Sequence, residues 1–196
     1  MKRNILTAIL MTIVTTVLLG LVYPLVITGV AQVLFHDKAN GQLIVQDGKT
    51  IGSRVLAQPF TGAGYFHPRA SAAGTNGYDA TNSGGTNYGP TNQKLIDRVK
   101  QDVAAAQQEN PGKPVPVDYV TTSASGLDPH ITPANAEFQA ARVARERGVT
   151  AEQIAALVKT HTEGRQLGVL GEARVNVLEL NLDLDRQFPP VKRAAR

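Results

Sequence analysis

The chain has 196 residues with a formal charge of +4, and it contains neither cysteine nor tryptophan. Without cysteine, no disulfide framework and no thiolate metal site can form. Its basic residues are scattered and its rings are few, so the footprint of a nucleic-acid-binding domain is missing.

From Asn4 to Phe35 there is no charged residue, and the run ILTAILMTIVTTVLLGLVYPLVITGVAQVLF is far longer than the ~20 residues that cross a bilayer as a helix. A cleaved signal peptide has an apolar region of only ~7 to 15 residues before a small-residue cleavage site. No A-x-A pattern follows Gly20 closely, so a single transmembrane helix is the direct reading, with residues 1–36 as a cytoplasmic end and its span. Lys2 and Arg3 precede the run, while His36, Asp37 and Lys38 follow it. The positive-inside rule then holds the N-terminus in the cytoplasm and puts residues 37–188 outside, as a periplasmic domain. Within the helix, Ala8, Thr12, Thr16 and Gly20 recur every four residues, a stripe along which a partner helix can approach closely. Pro24 removes one backbone hydrogen bond and should kink the helix near its outer end.

The ~150 residues beyond the helix suffice for one domain with its own core. GQLIVQDGKTIGS, residues 41–53, places two short apolar segments around Asp47 and Gly48, the dipeptide that suits a type I′ hairpin. Gly48, Lys49 and Thr50 also resemble the end of a phosphate-binding loop, but that motif needs glycine five positions before Gly48, where Leu43 stands. From Gln58 to Asn92 the chain is dense in Gly, Asn, Ser, Thr and Pro. Phe60, Tyr65, Phe66, Tyr78 and Tyr88 punctuate it and favour an ordered loop region over a flexible linker. Tyr65, Phe66, Tyr78 and Tyr88 are the candidates for docking on a partner.

Thr91 is placed to cap a helix running to Glu109, with Leu95, Ile96, Val99 and Val103 on one face. NPGKPVP stops it, and the Val content of Asp118 to Thr121 predicts a short strand. Thr132 and Pro133 open a helix to Arg147 that Gly148 closes. Thr150 and Gln153 form a capping box for another, to about His161. In RVNVLELNLDLD, residues 174–185, leucines alternate with polar residues at the period of a half-buried strand. A helix capped by Asn176, with Glu179 three residues on, is the alternative. QFPPVKRAAR, which includes residues 189–196, reads as a loose tail. The expected fold is a single N-terminal transmembrane helix followed by a mixed α+β soluble domain.

Ser123, Asp128 and His130 are the side-chain types of a serine hydrolase, but they lie in SASGLDPH rather than in a G-x-S-x-G elbow. A membrane-tethered periplasmic serine hydrolase, or a binding module, is therefore the alternative function. His36, His67, His130 and His161 show no metal-ligand spacing.

The membrane helix followed by VQDGKTIGS, QPFTGAGYFHPRASA, SGGTNYGPTN, PVPVDYVTTSASGLDPHITPANAEFQAARVARERG and LGEARVNVLELNLDLD resembles the KdpC family. Its members are the small C subunits of bacterial high-affinity potassium-transporting ATPases. No one piece is a chemical signature; the resemblance lies in their number and order over almost the whole chain. It implies a non-catalytic subunit of a four-protein pump in the bacterial inner membrane. Its partners would be a channel-like potassium-translocating subunit, a P-type ATPase subunit and a small membrane subunit. The chain itself carries no D-K-T-G phosphorylation motif and no T-V-G-Y-G filter. The resemblance further implies assembly and stabilisation of the complex, and a catalytic chaperone role that raises the ATP affinity of the ATPase subunit. No cofactor would be bound firmly, ATP being reached through that subunit. Ser83, Gly84 and Gly85 resemble part of the signature of ABC transporters and are the nucleotide candidate, although Asn82 before them and Thr86 and Asn87 after them depart from the fuller pattern. The external domain is expected near the potassium entrance, with coupling through the membrane helix.

Overall fold

The computed structural model describes residues 1–190, and the chain divides into two compact units, Met1–Ile51 and Gly52 onward. Residues 191–196 of the expected loose tail lie outside the described residues.

The first unit is dominated by one continuous helix, Lys2–Leu34, of 33 residues, whose most apolar 18-residue window has a mean hydropathy of 2.5 and no buried residue. At ~1.5 Å per residue its length exceeds the ~30 Å hydrocarbon layer. It consists of α1 (Lys2–Thr15), a π-helical stretch (Thr16–Val22) and α2 (Tyr23–Leu34). Pro24 near the start of α2 has no amide to offer the carbonyl of Gly20, and its ring crowds that carbonyl. Where a kink is expected from Pro24, the structure has a widened turn before it, in which bonds run to the fifth residue. Thr12 Oγ1 donates to Ala8 O at 2.9 Å, so its hydroxyl is satisfied along its own helix. A short turn, α3 (His36–Ala39), follows, and the Asn40 and Gln32 side chains meet at 3.2 Å. Then comes the hairpin of β1 (Leu43–Gln46) and β2 (Lys49–Ser53). Asp47 at φ 50° and Gly48 at φ 75° supply the left-handed pair that the dipeptide predicts.

The second unit packs helices around a three-stranded antiparallel sheet. After the glycine-rich region comes α4 (Gln93–Glu109), capped not by Thr91 but by Asn92, whose side chain accepts from the Lys94 amide at 2.9 Å. Where a strand is predicted over 118–121, the chain makes a single helical turn, α5 (Val117–Val120). Four alternating residues are too few to specify a strand without a paired neighbour, and Asp118 bonds toward the next helix. Its carboxylate accepts from Thr132 N (2.8 Å), Thr132 Oγ1 (3.0 Å) and Asn135 Nδ2 (3.0 Å). β3 (His130–Ile131) leads into α6 (Pro133–Arg147), capped by Thr132 and ended by Gly148 at φ 69°. α7 (Ala151–Thr160) carries the complete Thr150–Gln153 capping box. β4 (Thr162–Glu163) and β5 (Arg174–Asn176) complete the sheet in the order β3-β5-β4, with Ile131 and Thr162 both opposite Val175.

Only residues 174–176 of RVNVLELNLDLD are strand; the rest is α8 (Val177–Gln187), with Asn176 accepting from Glu179 N at 3.2 Å. Of the two sequence readings, the strand therefore fails and the capped helix holds. The buried positions Val177, Leu180, Asn181 and Leu184 follow helical spacing. The leucine alternation conceals this because Asn181 belongs to the buried face and Leu182 is only half-buried. Phe66, Ile131, Val143, Ile154, Leu157, Val175, Leu180 and Leu184 form the heart of the core.

Candidate functional site

The segment GAGYFH, residues 62–67, runs from the exposed Gly62 and Ala63 inward to the buried Phe66 without regular secondary structure. Buried backbone groups left unpaired would cost about 1–3 kcal/mol each, and here side chains from α6 and α8 satisfy them. Asn181 grips Phe66 on both sides, its Oδ1 accepting from Phe66 N at 2.9 Å and its Nδ2 donating to Phe66 O at 2.9 Å. Gln139 does the same for His67, accepting from its amide at 2.8 Å and donating to its carbonyl at 3.1 Å. Arg142 donates to Ala63 O (2.5 Å), Tyr65 O (2.8 Å), Gln139 Oε1 (2.7 Å) and Glu109 Oε1 (2.9 Å). Arg147 donates to Gly64 O (2.8 Å), Asp185 Oδ1 (2.7 Å) and Phe188 O (2.9 Å), and its guanidinium lies 4.6 Å from the centre of the Tyr65 ring.

The sequence carries only a weak signal for these polar residues. Asn135, Gln139 and Arg142, spaced i, i+4, i+7, mark one helical face of α6, but a polar helical stripe ordinarily signals a solvated face. Here it is buried, because a stretch of backbone from more than 60 residues upstream lies against it.

Against the clamped segment lies a cavity of about 360 Å³ lined by Phe60, His67, Tyr78, Tyr119, Asn135 and Gln139, among others. Burial, and then the Arg142 charge, push the His67 imidazole below its ordinary value. Burial and the adjacent Glu109 carboxylate push the Tyr119 phenol up to about 12; its hydroxyl donates to Glu109 at 3.1 Å. The rings facing this cavity are neutral at ordinary pH.

The lowered His67 value carries a pH dependence. Because the folded ring resists a proton that the unfolded chain accepts, stability should fall as pH drops through about 6.5 toward the folded value. The urea midpoint of the full-length chain in detergent, followed by tyrosine near-UV circular dichroism, should be lower at about pH 5.5 than at about pH 7.5. His67→Gln should flatten that difference. An unchanged slope in the variant would assign it to other groups.

The expected docking rings divide. Phe66 is fully buried and has no face left for a partner, so its assignment as a docking residue is withdrawn. Tyr65 Oη donates to Asp185 at 3.0 Å and Tyr78 Oη to Arg69 O at 2.9 Å, each ring half-buried. Tyr88 is exposed, at 39%.

The hydrolase constellation does not assemble. Ser123 is 2% exposed, and its hydroxyl is bonded to Ser125 Oγ at 3.1 Å and to the Gly126 amide at 3.1 Å rather than to His130. Asp128 does meet His130, accepting from its amide at 3.0 Å, and it pairs with Arg69 at 3.1 Å. The His130 ring and amide and the Arg69 guanidinium hold the Asp128 carboxyl below its usual range. A base and a carboxylate are present there, without an accessible nucleophile.

Ser83, Gly84 and Gly85 pack on the same serine turn. The Gly84 amide and the Ser83 hydroxyl both donate to Ser125 O, at 2.9 and 3.0 Å. A Cβ on Gly85 would stand 2.7 Å from Ala124 O. The Gly84 amide and the Ser83 hydroxyl are thus engaged by the domain itself, and Gly85 is accounted for by close backbone approach, whereas nothing lies within 4 Å of a Cβ added at Gly84. Of the membrane stripe, Gly20 has only the Thr16 methyl within reach of an added Cβ, at 3.9 Å.

The pattern of the KdpC family, described as "K+-transporting ATPase, c chain", matches residues 5–186. The chain is 72% identical over 189 residues to the potassium-transporting ATPase KdpC subunit of Koribacter versatilis (strain Ellin345), covering 96% of this chain and 97% of that protein. It is 54% identical over 191 residues to the subunit of the same name in Rhodospirillum rubrum, covering 96% and 98%. To that of Mycobacterium tuberculosis (strain CDC 1551 / Oshkosh) it is 53% identical over 189 residues, covering 95% and 100%.

Proposed function

The chain belongs to the KdpC family of potassium-transporting ATPase subunits, and from that premise we propose that it serves its pump without catalysing a step. It assembles and stabilises the complex in the inner membrane and raises the affinity of the P-type ATPase subunit for ATP. Its helix, oriented with the N-terminus in the cytoplasm, contacts a partner helix along Ala8, Thr12, Thr16 and Gly20. The second unit lies on the periplasmic side, near the potassium entrance of the channel-like subunit, with Tyr88 among its contacts. A small membrane subunit completes the complex. Nucleotide is held by the ATPase subunit, and this chain acts on that site through the membrane helix.

One observation supports a non-catalytic role above the others: the side chains that a site would need are engaged in holding the domain's own loops. Ser123, Gln139, Arg142, Arg147 and Asn181 are buried and bonded internally.

The test is purification of the tagged full-length chain from its native membrane in mild detergent, with mass spectrometry of what accompanies it. Stoichiometric recovery of a channel-like subunit and a P-type ATPase is expected, and the ATPase should need more ATP for half-maximal rate when this chain is left out. Recovery of the chain alone would overturn the reading. Gly20→Leu should reduce recovery of the partners while the second unit keeps its thermal transition, since the helix itself has room for the side chain. Unchanged recovery would remove the stripe from the interface.

A further inference from the structure

The chain contains two Asn-Gly pairs, Asn40–Gly41 and Asn76–Gly77. In such a pair the glycine nitrogen, with no Cβ beside it, has open access to the carboxamide carbon of the preceding asparagine. The structure treats the two pairs differently. The Asn40 Nδ2 donates to His36 O at 2.7 Å and to Gln32 Oε1 at 3.2 Å, its Oδ1 accepts from Gln32 Nε2 at 3.4 Å, and the Gly41 amide donates to Lys38 O at 3.3 Å. Asn76 is exposed, and among the described residues neither its side chain nor the Gly77 amide has a hydrogen-bonding partner.

The loop around Asn76 has little slack. Asp79 N donates to Ala73 O at 3.2 Å and closes it, while Ala73 N and Tyr78 N both donate to Ser71 Oγ, at 3.1 and 2.8 Å. Gly74, Gly77 and Tyr78 are all left-handed, at φ 70°, 76° and 57°. That region is costly for a residue with a Cβ, so Tyr78 depends on these bonds to stay there. Its hydroxyl donates to Arg69 O at 2.9 Å, and its ring forms part of the wall of the cavity of about 360 Å³.

We propose that Asn76 is a self-modification site, at which the folded chain converts its own asparagine to isoaspartate. The Gly77 nitrogen gives its proton to hydroxide and attacks Asn76 Cγ. The new N–Cγ bond closes a five-membered imide as the Cγ–Nδ2 bond breaks, and Nδ2 leaves as ammonia. Water then adds to one of the two imide carbonyls. Addition at Cγ breaks the new bond and leaves aspartate in an ordinary backbone. Addition at the main-chain carbonyl carbon of Asn76 breaks its bond to Gly77 N instead, and the chain then runs through Cβ and Cγ as isoaspartate. No electron is gained or lost, and water is the only co-reactant.

Both products carry a new negative charge, and isoaspartate lengthens the main chain by one carbon. A loop closed between Ala73 and Asp79 with three left-handed residues does not absorb that carbon in place. Tyr78 therefore releases Ser71, and the cavity wall it forms loosens. This modification is independent of the pump reading and would mark an old chain from a new one.

The test incubates the full-length chain in detergent at mildly alkaline pH, followed by trypsin digestion and tandem mass spectrometry. Cleavage after Lys38, Lys49, Arg69 and Lys94 puts the two pairs on separate peptides, 39–49 and 70–94. Conversion at Asn76 should outrun that at Asn40 by about ten-fold or more, because Asn40 and Gly41 must first break their hydrogen bonds. Electron-transfer fragmentation should find isoaspartate as the main product. In denaturant the two pairs should react at similar rates. Equal rates in the folded chain, or faster conversion at Asn40, would overturn the proposal. Asn76→Gln would need a six-membered ring and should stay unmodified over the same time. Amide exchange at Tyr78 should quicken in the aged wild-type chain and not in aged Asn76→Gln. Quickening in both, or in neither despite conversion, would overturn the link from Asn76 to the cavity wall.

Discussion

Arg142→Ala in the full-length chain should destabilise the second unit by about 3–5 kcal/mol, the largest single-residue effect expected outside the membrane helix. Arg142 is 6% exposed and holds two carbonyls of the 62–67 segment, the Gln139 side chain and the Glu109 carboxylate at once. Its removal leaves the partly buried Glu109 carboxylate with the Tyr119 hydroxyl but without its cation, and takes the guanidinium away from the carbonyls of Ala63 and Tyr65; the loss of partners is what makes a broken buried pair costly. For a domain of this size the transition should move down by roughly 6–20 °C. Tyrosine near-UV circular dichroism can follow it, because most of the tyrosines lie in the second unit. Arg142→Lys should recover only part of the loss, since an ammonium cannot reproduce the fork. A loss of about 1 kcal/mol or less for the alanine variant would mean that water replaces the guanidinium and that the clamp is not structural.

Gly126→Ala should cost about 2–4 kcal/mol, for a different reason. Gly126 has φ 68°, and a Cβ there would stand 2.6 Å from the Cβ of Ala73 and 2.8 Å from both Ala73 N and Gly84 O. Two of those three neighbours are backbone atoms, so no rotamer change can relieve the conflict. Three loops converge at this point: Ser71 Oγ donates to Gly126 O at 2.6 Å, Gly84 N to Ser125 O at 2.9 Å and Ser123 N to Ala70 O at 3.0 Å. Amide exchange should therefore quicken across 70–85 and 123–126 while α6 and α7 stay protected. Gly112→Ala is the control. Gly112 has φ 77° but nothing within 4 Å of an added Cβ, so only the backbone preference is lost, at about 1 kcal/mol. Equal losses for the two variants would show that the convergence of loops does not contribute.

Features governed by neighbouring residues were readable in the sequence. The apolar run became a helix, Asp47 and Gly48 made their turn, and Thr132, Gly148 and Thr150 bounded helices as their types dictate. Readings that depended on distant partners were harder to make. Asp118 looks like part of a strand until Thr132 and Asn135 supply its hydrogen bonds. The alternating leucines of 178–184 suggest a strand until Asn181 is seen to belong inside, on the backbone of Phe66. Rings in the glycine-rich region correctly signalled order, yet they could not say which would face outward: Phe66 became core and Tyr88 surface. Ser123 imitated a catalytic serine because tight turns and such sites use the same small, hydrogen-bonding residues.

The grip of Asn181 on Phe66 spans a sequence separation of 115 residues, and this has a consequence for biogenesis. During synthesis the 62–67 stretch emerges long before α8, the helix that satisfies the amide and carbonyl of Phe66. Until α8 arrives, that stretch has no interior to occupy and must remain hydrated or shielded by a chaperone. A ribosome stalled between the codons for α7 and α8 would hold an N-terminal helix able to enter the membrane and a following domain unable to close. Quality control would meet such a product as a tethered, protease-sensitive chain, and a finished subunit could be told from an unfinished one by whether GAGYFH is still open to cleavage.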